Sequence, residues 1–265
     1  MYDFAYHRPK TMAEATAALK GKPEARPMSG GMTLIPTLKQ RLAKPSDVVD
    51  LNGIKELAGI KVDGSGVTVG AMTRHADVAS SADVKGAIPA LADLAGHIGD
   101  PAVRNRGTMG GSVANNDPAA DYPAAVLGLD ATVTTTSRTI KADDFFKGLF
   151  ETALEDGELI TSITFPKAEK AGYMKFPNPA SRYAMVGVFV AKTAGGVRVA
   201  VTGAGPCVFR VKAMEDALAR NFSADAIKDI KVPADGLNSD IHGSAEYRAH
   251  LVTVMARRAV DQANK

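Results

Sequence analysis

Apolar and polar positions along the chain change period several times, and each change marks an element. Residues 11–20, TMAEATAALK, carry alanines and Leu19 at helical spacing behind Thr11, with Glu14 three residues on. That is a capping box, and it predicts a short helix. The stretch ARPMSGGMTLIPTLKQRLAKPSDVVDL then reads as a short strand, a Gly-Gly turn, a helix over about 33–43 and, after Pro45, the strand DVVDL. Alternation through Val67 and Val69, and the Thr/Val/Ile-rich runs ATVTTTSRTI (131–140) and ELITSITFP (158–166), predict strands, whereas 82–99 predicts helix.

After Pro166 the texture shifts. KAEKAGY (167–173) reads as a polar linker, and the residues that follow give three strand-like runs separated by Gly-Gly and Gly-x-Gly-Pro turns, an antiparallel meander. KAMEDALAR places Met214 and Leu218 four apart on a helix. AEYRAHLVTVMARRAVDQA predicts a closing helix with Tyr247, Leu251, Val254, Met255 and Ala259 on one face. Breaks near 55 and 167 divide the chain into units 1–55, 56–167 and 168–265, with no repeat of fixed period.

Composition narrows the function classes. With 265 residues, 45% hydrophobic and 23% charged, the chain is a globular protein able to bury one large core or two to three smaller ones. The net charge of +3 is scattered, so neither a nucleic-acid footprint nor a polybasic membrane anchor is present. The longest apolar run, AMVGVFVA at 184–191, is too short to cross a bilayer, and a cytoplasmic protein is expected. Cys207 stands alone, which excludes an internal disulfide and an iron–sulfur cluster or Cys-based zinc site built by this chain alone. The five histidines lack metal-binding spacing and read as surface or capped residues; no metal site is expected.

The candidate chemistry lies in two glycine loops, SGGMTL (29–34) and TMGGSVAN (108–115), each followed by helix-forming sequence. Glycine admits positive φ and lets successive N–H groups approach a ligand, forming an anion-binding concavity that suits a pyrophosphate. Thr33, Thr108 and Ser112 add uncharged hydroxyl donors. Taken singly, a Gly-Gly pair is equally a tight turn; the pairing of two is what points to a ligand. Neither G-x-x-x-x-G-K-[ST] nor a post-strand G-x-G-x-x-G occurs, which disfavours a P-loop or Rossmann fold and leaves a dinucleotide held by another architecture. Asn115, Asn116, Asp117 and Asp121 cluster downstream. A carboxylate beside a pyrophosphate would be repelled, so Asp117 and Asp121 suit hydroxyls or a ring N–H, unless they simply cap the helix beginning YPAAVLGL.

PMSGGMTLIP and RGTMGGSVANNDPAADYPAA resemble the two FAD pyrophosphate loops of the flavin-binding medium subunit of the molybdenum hydroxylases, and most resemble those of the aerobic carbon monoxide dehydrogenase branch. YHRPKTMAEA, ELITSITFP and KF…RYAMVGV extend the likeness over nearly the whole chain. The resemblance implies an α+β fold: a p-cresol-methylhydroxylase-type FAD domain of two subdomains, then a C-terminal domain of antiparallel sheet and helices. It further implies that Pro27, Met28, Ser29, Gly30, Gly31, Met32, Thr33 and Leu34, with Thr108, Met109, Gly110, Gly111 and Ser112, hold the pyrophosphate mainly through backbone N–H groups. Asp121 would reach the sugar part of FAD, with Asn115 and Asp117 beside it, and Ile98 and Ile160 would contact the cofactor.

Lys175 and Tyr183 match positions near the isoalloxazine, where a cation can stabilise reduced flavin and an aromatic ring can cover one face. The alternatives are that Lys175 is a solvated surface lysine and that Tyr183 packs in the sheet. By the same resemblance the chain transfers electrons and hydroxylates nothing itself. A large molybdenum-cofactor subunit would do that chemistry, a small [2Fe–2S] subunit would pass electrons to FAD, and quinone, dioxygen or NAD would be the external acceptor. The complex would be a dimer of heterotrimers, touching the inner face of the membrane only through its acceptor. A flavin-free scaffold of the same fold and a stand-alone FAD oxidase are the rival readings.

Overall fold

The computed structural model describes residues 1–265. Its first unit is a three-stranded parallel sheet in which Asp47–Asp50 lies between Ala5–His7 and Arg26–Met28. The crossover helix Met12–Leu19 starts where the capping signal places it: Thr11 Oγ1 accepts from the Glu14 N–H, while Glu14 reaches back to the N–H of Lys10 instead of Thr11. The next helix, Leu34–Lys39, is shorter than the pattern suggests, because Arg41 takes a left-handed φ of 59°. Ala15, Leu19, Val49, Leu51 and Ile54 form the core beneath these helices.

The central unit holds a five-stranded antiparallel sheet, ordered Ile60–Val62, Gly66–Gly70, Ile160–Pro166, Thr132–Thr135, Thr139–Lys141. The expected helix over 82–99 is two, Ala82–Ala87 and Pro89–Gly96. Pro89 lacks an N–H and ends one helix while opening the next. With Met109–Asn115 and Tyr122–Gly128 they cover the largest core, which includes Leu91, Leu94, Met109, Tyr122, Ile163 and Phe165.

The last sheet is antiparallel and four-stranded: Ala168–Pro177, Ala184–Thr193, Gly196–Thr202 and Phe209–Arg210. KAEKAGY is therefore strand and not linker. Its polar residues pair along the sheet edge with Ala184–Thr193, whose ladder supplies the order that local sequence does not. That partner strand is apolar from Ala184 to Ala191 because both its faces are buried there. Val186, Val188 and Val190 meet the helices Lys212–Arg220 and Ala245–Ala263, whereas Phe189 and Ala191 enter the central core. The closing helix buries Leu251, Met255 and Ala259 as expected, with Val254 packed beside them, and its buried face widens to Val252, Ala256 and Val260, while Tyr247 sits at the rim, edge-on to Phe176.

This helix lies directly on Gly172, where an added Cβ would stand 2.1 Å from the Ala259 carbonyl oxygen. Gly172→Ala should therefore cost about 1–3 kcal/mol by overpacking, read as a lower urea midpoint with unchanged m-value.

Candidate functional site

A cleft of about 740 Å³ opens where the three units meet, within the roughly 300–1,000 Å³ common to cofactor sites. Pro27 to Leu34, Ile98, Thr108, Gly110, Gly111, Ser112, Asn115, Asp117, Asp121, Ile160 and Tyr183 all line it. Met109 and Lys175 do not.

The first loop follows the strand Arg26–Met28 and turns at Gly31, whose φ is +74°. From Ser29 to Leu34 no backbone N–H donates to any acceptor in the chain, which leaves a run of donors along the cleft. Unpaired N–H groups at such density suit an oxyanion. The loop is held from behind: Asn52 Nδ2 donates to Ser29 O at 2.8 Å and to Asp50 Oδ1 at 2.6 Å, and Asp50 accepts from Tyr6 at 2.6 Å.

The second loop departs from expectation. The Met109 and Gly110 N–H groups donate to Thr73 O and Ala71 O, and that of Ser112 donates to Thr108 O. The Gly111 N–H faces Thr108 Oγ1 at 3.2 Å as a helix cap. These amides are satisfied within the fold, and the Met109 side chain is wholly in the core. The glycines here serve close packing. A Cβ on Gly30 would lie 2.1 Å from Arg106 O, one on Gly110 2.5 Å from Ala71 Cβ, and one on Gly111 2.3 Å from Ser29 Oγ. The second loop is thus the platform against which the first is set, contributing hydroxyls more than amides.

Asp117 is not a helix cap. Its Oδ1 accepts from the Ala119 N–H in a local turn. Asp121 precedes the helix Tyr122–Gly128 but makes no side-chain capping bond to it. Its carboxylate accepts from Tyr173 Oη at 2.5 Å and from Lys175 Nζ at 2.9 Å. Tyr173 and Lys175 are two apart on one strand and so share a face. Lys175 is therefore no surface lysine: its side chain is 6% exposed, and Nζ also donates to His97 O at 2.8 Å. Burial pushes the Asp121 carboxyl up, opposed by Lys175 and Tyr173, and burial with Asp121 raises the Tyr173 phenol well above its usual value. Tyr183 sits in the loop between two strands, half-exposed over the cleft, beside Arg182 in a left-handed conformation.

Sequence reading missed several walls. His75, taken for a surface or capped residue, is buried in the lining, packed at 5.3 Å on the Tyr122 ring and against Gly107. Burial, and then Arg104, lowers its pKa to about 4. Val103, from the short helix Pro101–Arg104, and Leu154, Leu159, Ser181 and Arg182, from loops whose placement depends on how the units dock, also line the cleft. Only the unbroken apolar run Ala184–Ala191, buried on both faces, hints at such docking. The free amide run, the cleft volume and the apolar walls of Ile98 and Ile160 fit an elongated dinucleotide with a pyrophosphate at the first loop.

Comparison with known proteins identifies the dinucleotide class as FAD. Residues 2–168 match the FAD binding domain in molybdopterin dehydrogenase. The chain is 37% identical to the glyceraldehyde dehydrogenase medium chain of Sulfolobus acidocaldarius over 97% of each chain. It is 35% identical to the carbon monoxide dehydrogenase medium chain of Hydrogenophaga pseudoflava, covering 98% of this chain and 96% of that one. A solved carbon monoxide dehydrogenase from the latter organism, lacking the Mo-pyranopterin moiety, superposes with a TM-score of 0.88 at 37% identity over 98% of this chain and 96% of its own. This chain belongs to the FAD-binding medium subunits of the molybdenum hydroxylase family.

Two outcomes follow from the side chains around the cleft. Asp121→Ala leaves the Lys175 ammonium buried without its counter-charge and should cost about 3–5 kcal/mol in urea unfolding, whereas Asp121→Ala with Lys175→Met should recover much of that loss. His75 has a folded pKa below its unfolded value, so the unfolded chain binds the extra proton between the two. Its contribution is complete above about pH 6.5 and is lost as pH falls towards 4, reaching roughly 3 kcal/mol. Stability measured across that window should show the slope in the native chain and lose it in His75→Gln.

Proposed function

We propose that this medium subunit relays electrons: it receives them from the [2Fe–2S] clusters of a small partner subunit and delivers them to an external acceptor, while a large molybdenum-cofactor subunit hydroxylates the substrate. The observation that carries the reading is the uninterrupted set of free N–H groups from Ser29 to Leu34 facing a cleft large enough for a dinucleotide. FAD, when bound, takes up electrons singly, stores two and releases them to an acceptor.

The chain's own residues hold and shield. Ser29 to Leu34 supply amide donors for the pyrophosphate, with the hydroxyls of Thr108 and Ser112 beside them. Asp117 and Asp121 offer acceptors to the hydroxylated part of the cofactor. Ile98 and Ile160 give apolar contact, and Tyr183 covers the cleft from the C-terminal unit. Lys175 acts through Asp121, setting the charge at the base of the cleft without lining it. No residue here is assigned as an acid, base or nucleophile for hydroxylation. The lone Cys207 supports delegation of cluster chemistry to a partner.

Relatives named for glyceraldehyde and for carbon monoxide match to similar extents, so the substrate follows from the large subunit. A dimer of heterotrimers with quinone, dioxygen or NAD as acceptor completes the proposal. No helix is long and apolar enough to cross a membrane, which is compatible with an acceptor reached at a membrane surface.

The isolated chain should bind one FAD, bleach on chemical reduction, and leave aldehydes and carbon monoxide unoxidised. A chain that takes up no flavin, or one bleached by either substrate unaided, would overturn the reading. Gly30→Ala, which wedges a methyl against Arg106 O, should weaken FAD binding on the order of tenfold or more in a fluorescence titration.

A further inference from the structure

One wall of the cleft is fastened from outside the FAD-binding domain. Asp117, Ala120 and Asp121 line the cleft, yet the carbonyls between them are engaged by the C-terminal sheet. Pro118 O accepts the Gly203 N–H at 2.7 Å, and Ala119 O accepts the Ala184 N–H at 3.3 Å. Ala120 O accepts from Thr202 Oγ1 at 2.6 Å. Thr202 Oγ1 also lies 3.0 Å from Pro118 O, but a hydroxyl has one proton and Pro118 O already has the Gly203 amide. No other donor in the chain reaches Ala120 O, and Thr202 is 1% exposed, so water does not substitute readily.

This end of the sheet is itself fixed. Arg248, buried on the closing helix, donates Nη1 to Met185 O at 2.7 Å and to Gly203 O at 3.1 Å, and Nη2 to Asp240 at 2.8 Å. Asn238 Nδ2 adds a bond to Gly205 O at 2.9 Å. Two separate turns of the C-terminal unit, after Pro177 and after Thr202, are thus brought to one point facing the Pro118–Ala120 carbonyls.

We propose that Thr202 is a positioning residue of the cofactor cleft. With the Ala184 and Gly203 amides it fixes the Pro118–Ala120 backbone and so the placement of Asp117 and Asp121, which couples FAD binding to docking of the C-terminal sheet. The inference rests on the reading that this cleft holds FAD. Coupling of this kind is reciprocal: whatever the brace contributes to FAD affinity, FAD returns to the docked state of the sheet.

The test uses the full chain titrated with FAD. Thr202→Val removes the hydroxyl at nearly constant volume and orphans Ala120 O, and should raise the Kd on the order of tenfold, while Thr202→Ser should stay within about threefold of the native chain. Val201, the preceding residue, points into the other core and serves as control. Val201→Ala should lower the urea midpoint yet leave FAD affinity within about threefold. In the native chain FAD should slow amide exchange at Gly203 and Ala184. Native affinity in Thr202→Val, equal loss in Val201→Ala, failure of Thr202→Ser to restore binding, or unchanged exchange at those amides would each overturn the coupling. A native chain that binds no FAD would instead overturn the reading of the cleft on which it rests.

Discussion

The structure depends on a contact between two stretches of backbone. Gly30 lies so close to Arg106 and Gly107 that any side chain would displace one of them, and Gly111 meets Ser29 in the same way. The parallel sheet of the first unit and the antiparallel sheet of the second have separate cores, and a shared cleft requires their loops to touch without side chains between them. The contact also divides the work. The second loop spends its amides on Thr73, Ala71 and its own helix start, becoming a rigid backing. The first loop, supported by that backing and by Asn52, leaves its amides unpaired within the chain. Of its glycines, only Gly31 is needed for a positive φ.

Much of this was legible in the sequence, for identifiable reasons. Helix Met12–Leu19 and strand Gly66–Gly70 follow from local signals, a capping pair and strict alternation, that tertiary packing has no cause to override. The glycine pairs mark the cleft because few other uses explain two of them with matching context. What local sequence could not show was which amides remain free. Met109 N–H and Ser29 N–H look alike in the sequence; only the position of Thr73 O separates them. KAEKAGY failed as a linker because its order comes from the ladder with Ala184–Thr193. His75 failed as a surface residue because its burial comes from Tyr122 and Gly107, both far along the chain.

Asp121 shows how a charge is kept at the base of the cleft. A buried carboxylate alone would be protonated or would destabilise the fold; paired with an ammonium and a phenol it can be retained. Both partners come from the strand Ala168–Pro177, so the charge is sustained only when the C-terminal sheet is docked. Asp121 side-chain chemistry and the Pro118–Ala120 carbonyls therefore report on the same docking from two sides of one loop. The matched FAD-binding domain stops at residue 168, but its cleft is completed beyond that point.

The charges around the cleft also indicate how an anion would be held there. Arg26 and Arg182 are the cationic side chains in the lining, against Asp100, Asp117, Asp121 and Glu158. Several of those acids are already engaged: Asp121 by Lys175, Glu158 by Arg138, and Asp100 by the Val103 N–H it caps. His75 adds no charge near neutral pH, since its pKa is held near 4. A surplus of fixed positive charge is therefore not what selects a pyrophosphate here. On the proposed reading, oriented amide dipoles of the first loop would do so, and dipoles bind by direction as much as by sign. Such a site tolerates carboxylates close by, provided they stand at the other end of the ligand. It depends instead on loop geometry, to which the side-chain-free contact at Gly30 contributes.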